Sequence, residues 1–302
     1  MSEKPSFDPR LTLARADLAA DHLEGIVKAD AYKAPERWRV SAPLVNLYKA
    51  PVTSDMLSTT LESQWLYGED IDVLEIKDGW AWGQSLADGY VGYCRAEHLV
   101  RPTIETTHRV SNLMTHAYNS PDVKTTPLFP LSYGSEVTVI DETDGFMRTD
   151  ADLFIPSAHL VDKFVHALEP VSEAFRFLGV PYVYGGRSGF GIDCSALIQL
   201  CLQACGMPFP RDMDMQAAVK AQNIARAALQ TGDLVFFAHD DGKQNHDGSA
   251  IHGHLGIMVD DTMMIHANEM MMATSMDDLD DYLAMRGRTG KTTRHHCIRL
   301  KG

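Results

Sequence analysis

The run Gly185-Gly186-Arg187-Ser188-Gly189-Phe190-Gly191-Ile192-Asp193-Cys194-Ser195 carries a glycine-rich loop into the start of an apolar, helix-patterned segment. After Cys194 the apolar positions Leu197, Ile198, Cys201, Leu202 and Cys205 recur at helical spacing, and Gly206 with Pro208 supplies a stop, so Cys194 is expected in the first turn. That position favours a thiolate. A free cysteine titrates near about 8.5, and the positive end of a helix with a histidine alongside can lower it below neutrality. The first-turn amides would also face an oxyanion formed by attack on a carbonyl. Asp193 reads as the helix cap, and Ser195 as a residue that shapes the site without reacting. Cys201 and Cys205 read as small core hydrophobes.

A nucleophile needs a base, and His254-Leu255-Gly256-Ile257-Met258-Val259 offers one at the start of a strand-like run. His266 closes the next apolar stretch, Met263-Met264-Ile265-His266-Ala267, and two adjacent antiparallel strands would bring it against the first histidine. The set is a thiol, a base and an orienter. In such an arrangement the nearer imidazole takes the thiol proton and later gives it to the leaving amine, while the third group fixes its orientation and tautomer.

These residues, with Gly232-Asp233-Leu234-Val235-Phe236-Phe237 between them, stand in the order found in the NlpC/P60 cell-wall cysteine peptidases, and residues 165 to 300 resemble that family. The resemblance implies a papain-like α+β domain, with Cys194 as nucleophile, His254 as general base and His266 as third polar residue. Tyr182, in Pro181-Tyr182-Val183-Tyr184, matches a family tyrosine whose hydroxyl lies near the thiol. Two features depart from the pattern. Ala196 replaces a usual glycine, and the segment between Phe237 and His254 is long and carries His239, His246 and His252. His252 and His254 therefore compete as the base, with His254 favoured because it leads directly into the Leu-Gly-Ile strand.

Composition narrows the partners. The chain has 302 residues, 45% hydrophobic, with a net charge of −14, which argues against nucleic acid or an anionic membrane as partner. No membrane span is visible, and the first thirty residues lack the apolar core of a secretory signal, so a cytoplasmic location is expected. Five cysteines without paired spacing suit a reducing compartment.

The N-terminal half repeats itself. Val40-Ser41-Ala42-Pro43, Leu47-Tyr48, Pro51, Tyr67-Gly68-Glu69, Asp78-Gly79-Trp80 and His98-Leu99 return as Val110-Ser111, Ala117-Tyr118, Pro121, Tyr133-Gly134-Ser135, Asp144-Gly145-Phe146 and His159-Leu160. Short alternating runs separated by Asp-Gly turns read as small β-barrels that resemble bacterial SH3 domains. The expected organisation is a helical arm over 1–35, barrels over 36–104 and 105–163, and the peptidase-like domain over 164–302, opened by a linking helix over 164–178.

Tandem barrels ahead of an NlpC/P60 domain resemble murein-peptide recycling enzymes, which cut the bond between γ-D-glutamate and a diamino acid in short peptides with a free L-alanine amine. The substrate implied is a murein tripeptide or tetrapeptide, and no cofactor is needed. In that reading the first barrel narrows the cleft instead of holding the wall. A free ammonium calls for an anion, and Asp212 in Pro210-Arg211-Asp212-Met213 stands where the family has an Arg-Asp pair, although Met213 replaces the hydroxyl residue that commonly follows. Arg211 would pair with Asp212 or hold a substrate carboxylate. Asp193 and Tyr90 complete the expected contacts, with Asp55 or Glu62 as a second anion. Three other readings are a hydrolase of larger wall fragments, a peptide-binding protein with an inactive peptidase domain, and a zinc enzyme using His239, His246, Asp247, His252 and His254. The zinc reading leaves the motif around Cys194 unexplained.

Overall fold

A computed structural model of the chain describes residues 7–52, 59–102, 104–238 and 252–300. The architecture is α+β and divides into two compact units, Met1–Phe164 and Val165–Gly302.

In the first unit, alternation of apolar and polar residues builds a five-stranded antiparallel sheet in the order Val91–Arg95, Trp80–Ser85, Asp70–Lys77, Glu36–Val40, Leu99–Val100. Leu44–Leu47 pairs with Ser63–Leu66, and a bridge between Tyr48 and Tyr93 ties that hairpin to the sheet. Val40, Val45, Leu47, Trp65, Ile71, Val73 and Cys94 fill the interior. Residues 108–162 repeat the plan. Tyr118 bridges to Phe154, and Val110, Ala117, Leu131, Val137 and Ile155 form the second core. Asp78 and Asp144 share φ +51°, and Gly79 and Gly145 share φ +78°, as the turn of each copy requires.

The N-terminal arm differs from the expected helix. Within its described residues it holds a short 3-10 turn, Asp21–Leu23, and two-residue strands at Ala19–Ala20 and Tyr32–Lys33. Its apolar residues are spent on the barrel, where Leu13 and Ala20 pack with Leu74 and Trp82, and Arg15 lies 4.2 Å over the Trp82 ring. Packing against an existing surface overrides a weak local preference for helix.

The second unit opens on α1 (Pro170–Arg176), shorter than the expected linker helix because Pro170 starts it and Gly179, at φ +83°, follows its end. After α2 (Cys194–Ala204) and α3 (Met213–Ala217) come β1 (Gln222–Ile224), β2 (Leu234–Ala238), β3 (His252–Met258), β4 (Met263–Asn268), β5 (Ala273–Asp278), α4 (Leu279–Arg288) and β6 (His295–Arg299). The strands form one antiparallel sheet in the order β1-β6-β2-β3-β4-β5. On the face covered by α4, Val235, Phe237, Met258, Met264, Leu279 and Tyr282 make a single core. Nearly every side chain of α2 is buried, Cys201 among them, while Cys205 is half-buried at the helix end. Among the described residues no helix is long and apolar enough to cross a membrane.

Two turn glycines of the first unit separate conformational strain from collision. A Cβ on Gly68 (φ +85°) would lie 1.9 Å from the Glu136 carbonyl oxygen, whereas one on Gly145 (φ +78°) meets nothing within 4 Å. Gly145→Ala should therefore destabilise the first unit by about 1 kcal/mol and Gly68→Ala by at least about 2 kcal/mol, read from urea unfolding of the two variants.

Candidate active site

The thiol is placed by the residue before it. Asp193 is extended (φ −98°, ψ 173°) and caps α2 by accepting the Ala196 N–H at Oδ1, 2.8 Å. Oδ1 also accepts Ser195 Oγ–H at 3.0 Å and Arg211 Nη1–H at 3.0 Å, while Oδ2 accepts Gly185 N–H at 3.0 Å and Arg211 Nη2–H at 2.7 Å. Arg211 is 1% exposed and gives a further bond to Ser195 Oγ at 2.9 Å. Asp193 and Arg211, expected to hold substrate, are thus a buried bidentate pair inside the protein, because a charge taken out of water needs a matched partner. Arg211 pairs with Asp193. Ser195 faces the same pair. The glycine-rich loop is itself a buried two-stranded hairpin, Arg187–Ser188 against Gly191–Ile192. Asp212 is half-buried at the N-cap position of α3, where its side chain makes no capping bond.

The sheet supplies the imidazoles. His254 Nε2 lies 2.6 Å from His266 Nδ1, and His266 Nε2 lies 2.7 Å from Asp277 Oδ2. Both histidines are buried, with the Tyr282 ring against them at centroid distances of 5.8 and 4.6 Å. The register of β3 and β4, Ile257 opposite Ile265 and Met258 opposite Met264, carried on puts Gly256 opposite His266. A Cβ there would crowd His266 Cβ at 3.2 Å, so the missing side chain admits the ring that leans diagonally to His254. The side chain of His252, the rival base, lies outside the described residues, as do His239, His246, Asp247 and Asp55.

Asp277 is the residue that sequence reading missed. Ser275 stands opposite His266 across β4 and β5, and Asp277 follows two residues on, so period two puts both on the face of His266. Ser275 Oγ–H donates to Asp277 Oδ2 at 2.7 Å and Asn268 Nδ2–H at 3.3 Å. The only trace in the sequence is the spacing Ser-x-Asp after a His-x-Asn strand, and it acquires meaning once the turn between them is known.

Burial sets the charge state. It pushes the Cys194 thiol up to about 12, and the Asp193 carboxylate adds to the rise; a hydrogen bond from the Leu255 amide opposes it without reversing it. The expected lowering by the helix terminus is overridden by loss of solvent. Burial likewise holds His254 well below its usual range, helped by the neighbouring His266. Hydrogen bonding from His266 holds Asp277 down to about 2. Tyr182, beside the thiol, is kept protonated by burial first and by that thiol second. The resting site sets a neutral thiol beside a neutral His254, with Asp277 ionised behind them.

Tyr90 belongs to the first unit, where it is buried and lines a groove of about 700 Å³ with Glu62, Lys49, Trp82 and Tyr93. Among the described residues no His, Cys, Asp and Glu side chains cluster in a way that would hold a metal ion.

Residues 179–286 match the NlpC/P60 family, and residues 47–99 match a family described as the bacterial dipeptidyl-peptidase Sh3 domain. The chain is 27% identical over 282 residues, 82% of its length and 79% of the relative's, to the γ-D-glutamyl-L-lysine dipeptidyl-peptidase of Bacillus cereus. It is 23% identical over 266 residues to dipeptidyl-peptidase 6 of Lysinibacillus sphaericus, covering 80% of this chain and 91% of that one. The crystal structure of an NlpC/P60 family protein from Bacillus cereus superposes with a TM-score of 0.71 at 21% identity, over 88% of this chain and 99% of that one, and so shares the fold.

Arg211→Ala should destabilise the second unit by roughly 3–5 kcal/mol, since it strands the Asp193 charge indoors, and Arg211→Lys should recover only part of this in calorimetric unfolding. A second expectation concerns acid. Because His254 stays neutral in the fold, the unfolded chain binds a proton there below about 6.5 that the folded chain refuses, so stability falls as pH drops from that value. Asp277 acts lower, its contribution present above 3.8 and lost as pH falls towards about 2. Unfolding free energy followed from pH 8 to 4 should decline, and His254→Leu should flatten the decline.

Proposed function

We propose that this chain, which carries an NlpC/P60 domain behind a bacterial SH3 domain, is a cysteine peptidase that hydrolyses the γ-D-glutamyl–diamino acid bond of short murein peptides. The observation that carries the reading is one buried thiol at a capped helix start, with the amide of Leu255 on its sulfur and the neighbouring His254 hydrogen-bonded on through His266 to Asp277. The names of two relatives that align over most of this chain, a γ-D-glutamyl-L-lysine dipeptidyl-peptidase and a dipeptidyl-peptidase 6, supply the substrate class.

In this mechanism His254 Nδ1 removes the Cys194 proton as the sulfur attacks the γ-carbonyl carbon. The oxyanion meets the first-turn amides of Cys194 and Ser195, since the Ala196 amide is taken by the Asp193 side chain and that of Leu197 by its carbonyl. The protonated Tyr182 hydroxyl is a further donor beside the thiol. The imidazolium then protonates the departing amine, the C–N bond breaks, and a thioester remains. Water, deprotonated by His254, hydrolyses it and returns the thiol. A general base of this kind contributes roughly 10²–10⁴-fold to the rate.

Recognition of a free L-alanine ammonium falls to Asp212. Asp212 is half-buried at the start of α3, directly after Arg211 in the sequence. Recycling of murein peptides in a reducing compartment fits five cysteines that are all free, four of them buried.

Incubation with L-Ala-γ-D-Glu-diaminopimelate, its lysine counterpart and their N-acetylated forms, followed by mass spectrometry, tests the assignment. The free-amine peptides should release L-Ala-γ-D-Glu, and the acetylated ones should persist. Cys194→Ala should abolish turnover, and Asp212→Asn should raise KM for the free-amine peptide by roughly tenfold or more. Cleavage that survives Cys194→Ala would overturn the mechanism, and equal cleavage of both forms would overturn the ammonium assignment.

A further inference from the structure

The hydrogen-bond chain behind the thiol has one polarity. Asp277 Oδ2 receives Ser275 Oγ–H at 2.7 Å and Asn268 Nδ2–H at 3.3 Å and lies 2.7 Å from His266 Nε2. An ionised carboxylate only accepts, so the proton between it and His266 belongs to Nε2. His266 Nδ1 then carries a lone pair, and the 2.6 Å contact must be donated by His254 Nε2–H. That leaves the lone pair of His254 on Nδ1. Without the carboxylate, each neutral imidazole has two tautomers, and the reversed chain would put a proton on His254 Nδ1, where it can take none from a thiol.

We propose that Asp277 is a positioning residue for the reaction: acting through His266, it fixes the tautomer of His254 and supplies the counter-charge for the imidazolium that forms when His254 takes the Cys194 proton. The inference rests on the cysteine-peptidase reading, and it deepens that reading by one residue. No proton needs to reach Asp277. As the S–H bond breaks and the S–C bond forms, the proton goes to His254 Nδ1, the positive charge spreads along Nε2–H···Nδ1, and the carboxylate stabilises it from the far side of His266. The Ser275 and Asn268 bonds stop the carboxylate from turning away, and Asn268 is itself held by accepting Met270 N–H at 2.9 Å on Oδ1. Asp277 is anionic throughout any working pH, held down to about 2. The other groups acting on His254 are His266, Arg286 of α4 and Lys291, all of which oppose its protonation, so the carboxylate is the compensating charge on this side.

Two variants separate its two roles. Asp277→Asn can keep an oxygen where Ser275, Asn268 and His266 all donate, so it preserves the tautomer and removes the charge; Asp277→Ala removes both. With full-length protein labelled at the histidine nitrogens with nitrogen-15, the wild type should show both His254 and His266 protonated on Nε2 at neutral pH. Asp277→Ala should show His254 as a mixture of tautomers and lose roughly 100-fold in kcat with little change in KM, whereas Asp277→Asn should keep the wild-type tautomers and lose roughly tenfold. In Asp277→Asn the acid limb of kcat/KM should also move to lower pH, because the imidazolium has lost its partner.

A folded Asp277→Ala with wild-type tautomers and wild-type kcat would overturn the proposal. If Asp277→Ala does not fold, an Asp277→Asn enzyme with unchanged kcat and acid limb would overturn it instead. The nitrogen spectra need no substrate, so a wild type that leaves murein peptides intact would sink the substrate reading alone, while a wild type with His254 protonated on Nδ1 would sink the relay.

Discussion

The paired fork of Arg211 on Asp193 fixes where the Cys194 thiol stands, and much of the second unit is arranged around it. A carboxylate offers about four lone-pair positions, and here the two oxygens take five donors drawn from the loop before the helix, the helix's own first turn and the segment leading into α3. Gln216 extends the same net by donating to the carbonyls of Ser195 at 2.9 Å and Pro210 at 2.8 Å. Residues far apart in sequence are thereby fixed to within hydrogen-bond tolerance of one another. An apolar pair of equal volume would give comparable stability, since buried ion pairs gain little net free energy. What the pair adds is direction: only one placement of the helix start satisfies all five donors, and Cys194 is the next residue.

The histidine side is organised by register, not by charge. Strands alternate faces every residue, so a slip of one position in either hairpin would turn His254, His266 or Asp277 to the wrong side of the sheet. Asn268 prevents the slip in the second hairpin, because its carbonyl oxygen accepts the Met270 and Met271 amides at 2.9 and 3.3 Å while its amide reaches Asp277. One side chain therefore ties turn geometry to relay geometry. Gly256 does the corresponding service between β3 and β4 by leaving room for a ring.

These devices explain what could be read before the structure. The helix from Cys194 was legible because cap, period and stop all agreed over eleven residues, and the repeat in the first unit because its turns demand Asp-Gly wherever they occur. His254 and His266 were legible as strand residues. Their union with Asp277 was not, since the pairing of Ser275 with His266 depends on the turn over Glu269–Met272, whose Met272 at φ +53° has no sequence signature. Arg211 reads in the sequence as a partner of the adjacent Asp212 or of a substrate carboxylate; only the fold brings it onto Asp193. The arm over residues 1–35 reads as helix because short apolar pairs among charges imitate an amphipathic period, while the apolar side chains of its described part answer the surface around Trp82.

The thiol's own charge state follows from competition between two terms that sequence sees unequally. A helix terminus is visible as a pattern, and its half-charge favours the thiolate by up to about 2 kcal/mol in partly buried settings. Desolvation is invisible until the chain is folded, and here it prevails, since the first turn of α2 is buried. The consequence reaches the chemistry. In the proposed reaction Cys194 and His254 are neutral at rest, and charge separates only as the sulfur meets a carbonyl, when the negative charge passes to an oxygen facing amide donors and the positive charge stays on an imidazole backed by Asp277. A site that keeps its ions latent in this way ties reactivity to the arrival of an electrophile, and the hydrogen bonds that receive both charges are already in place before it comes.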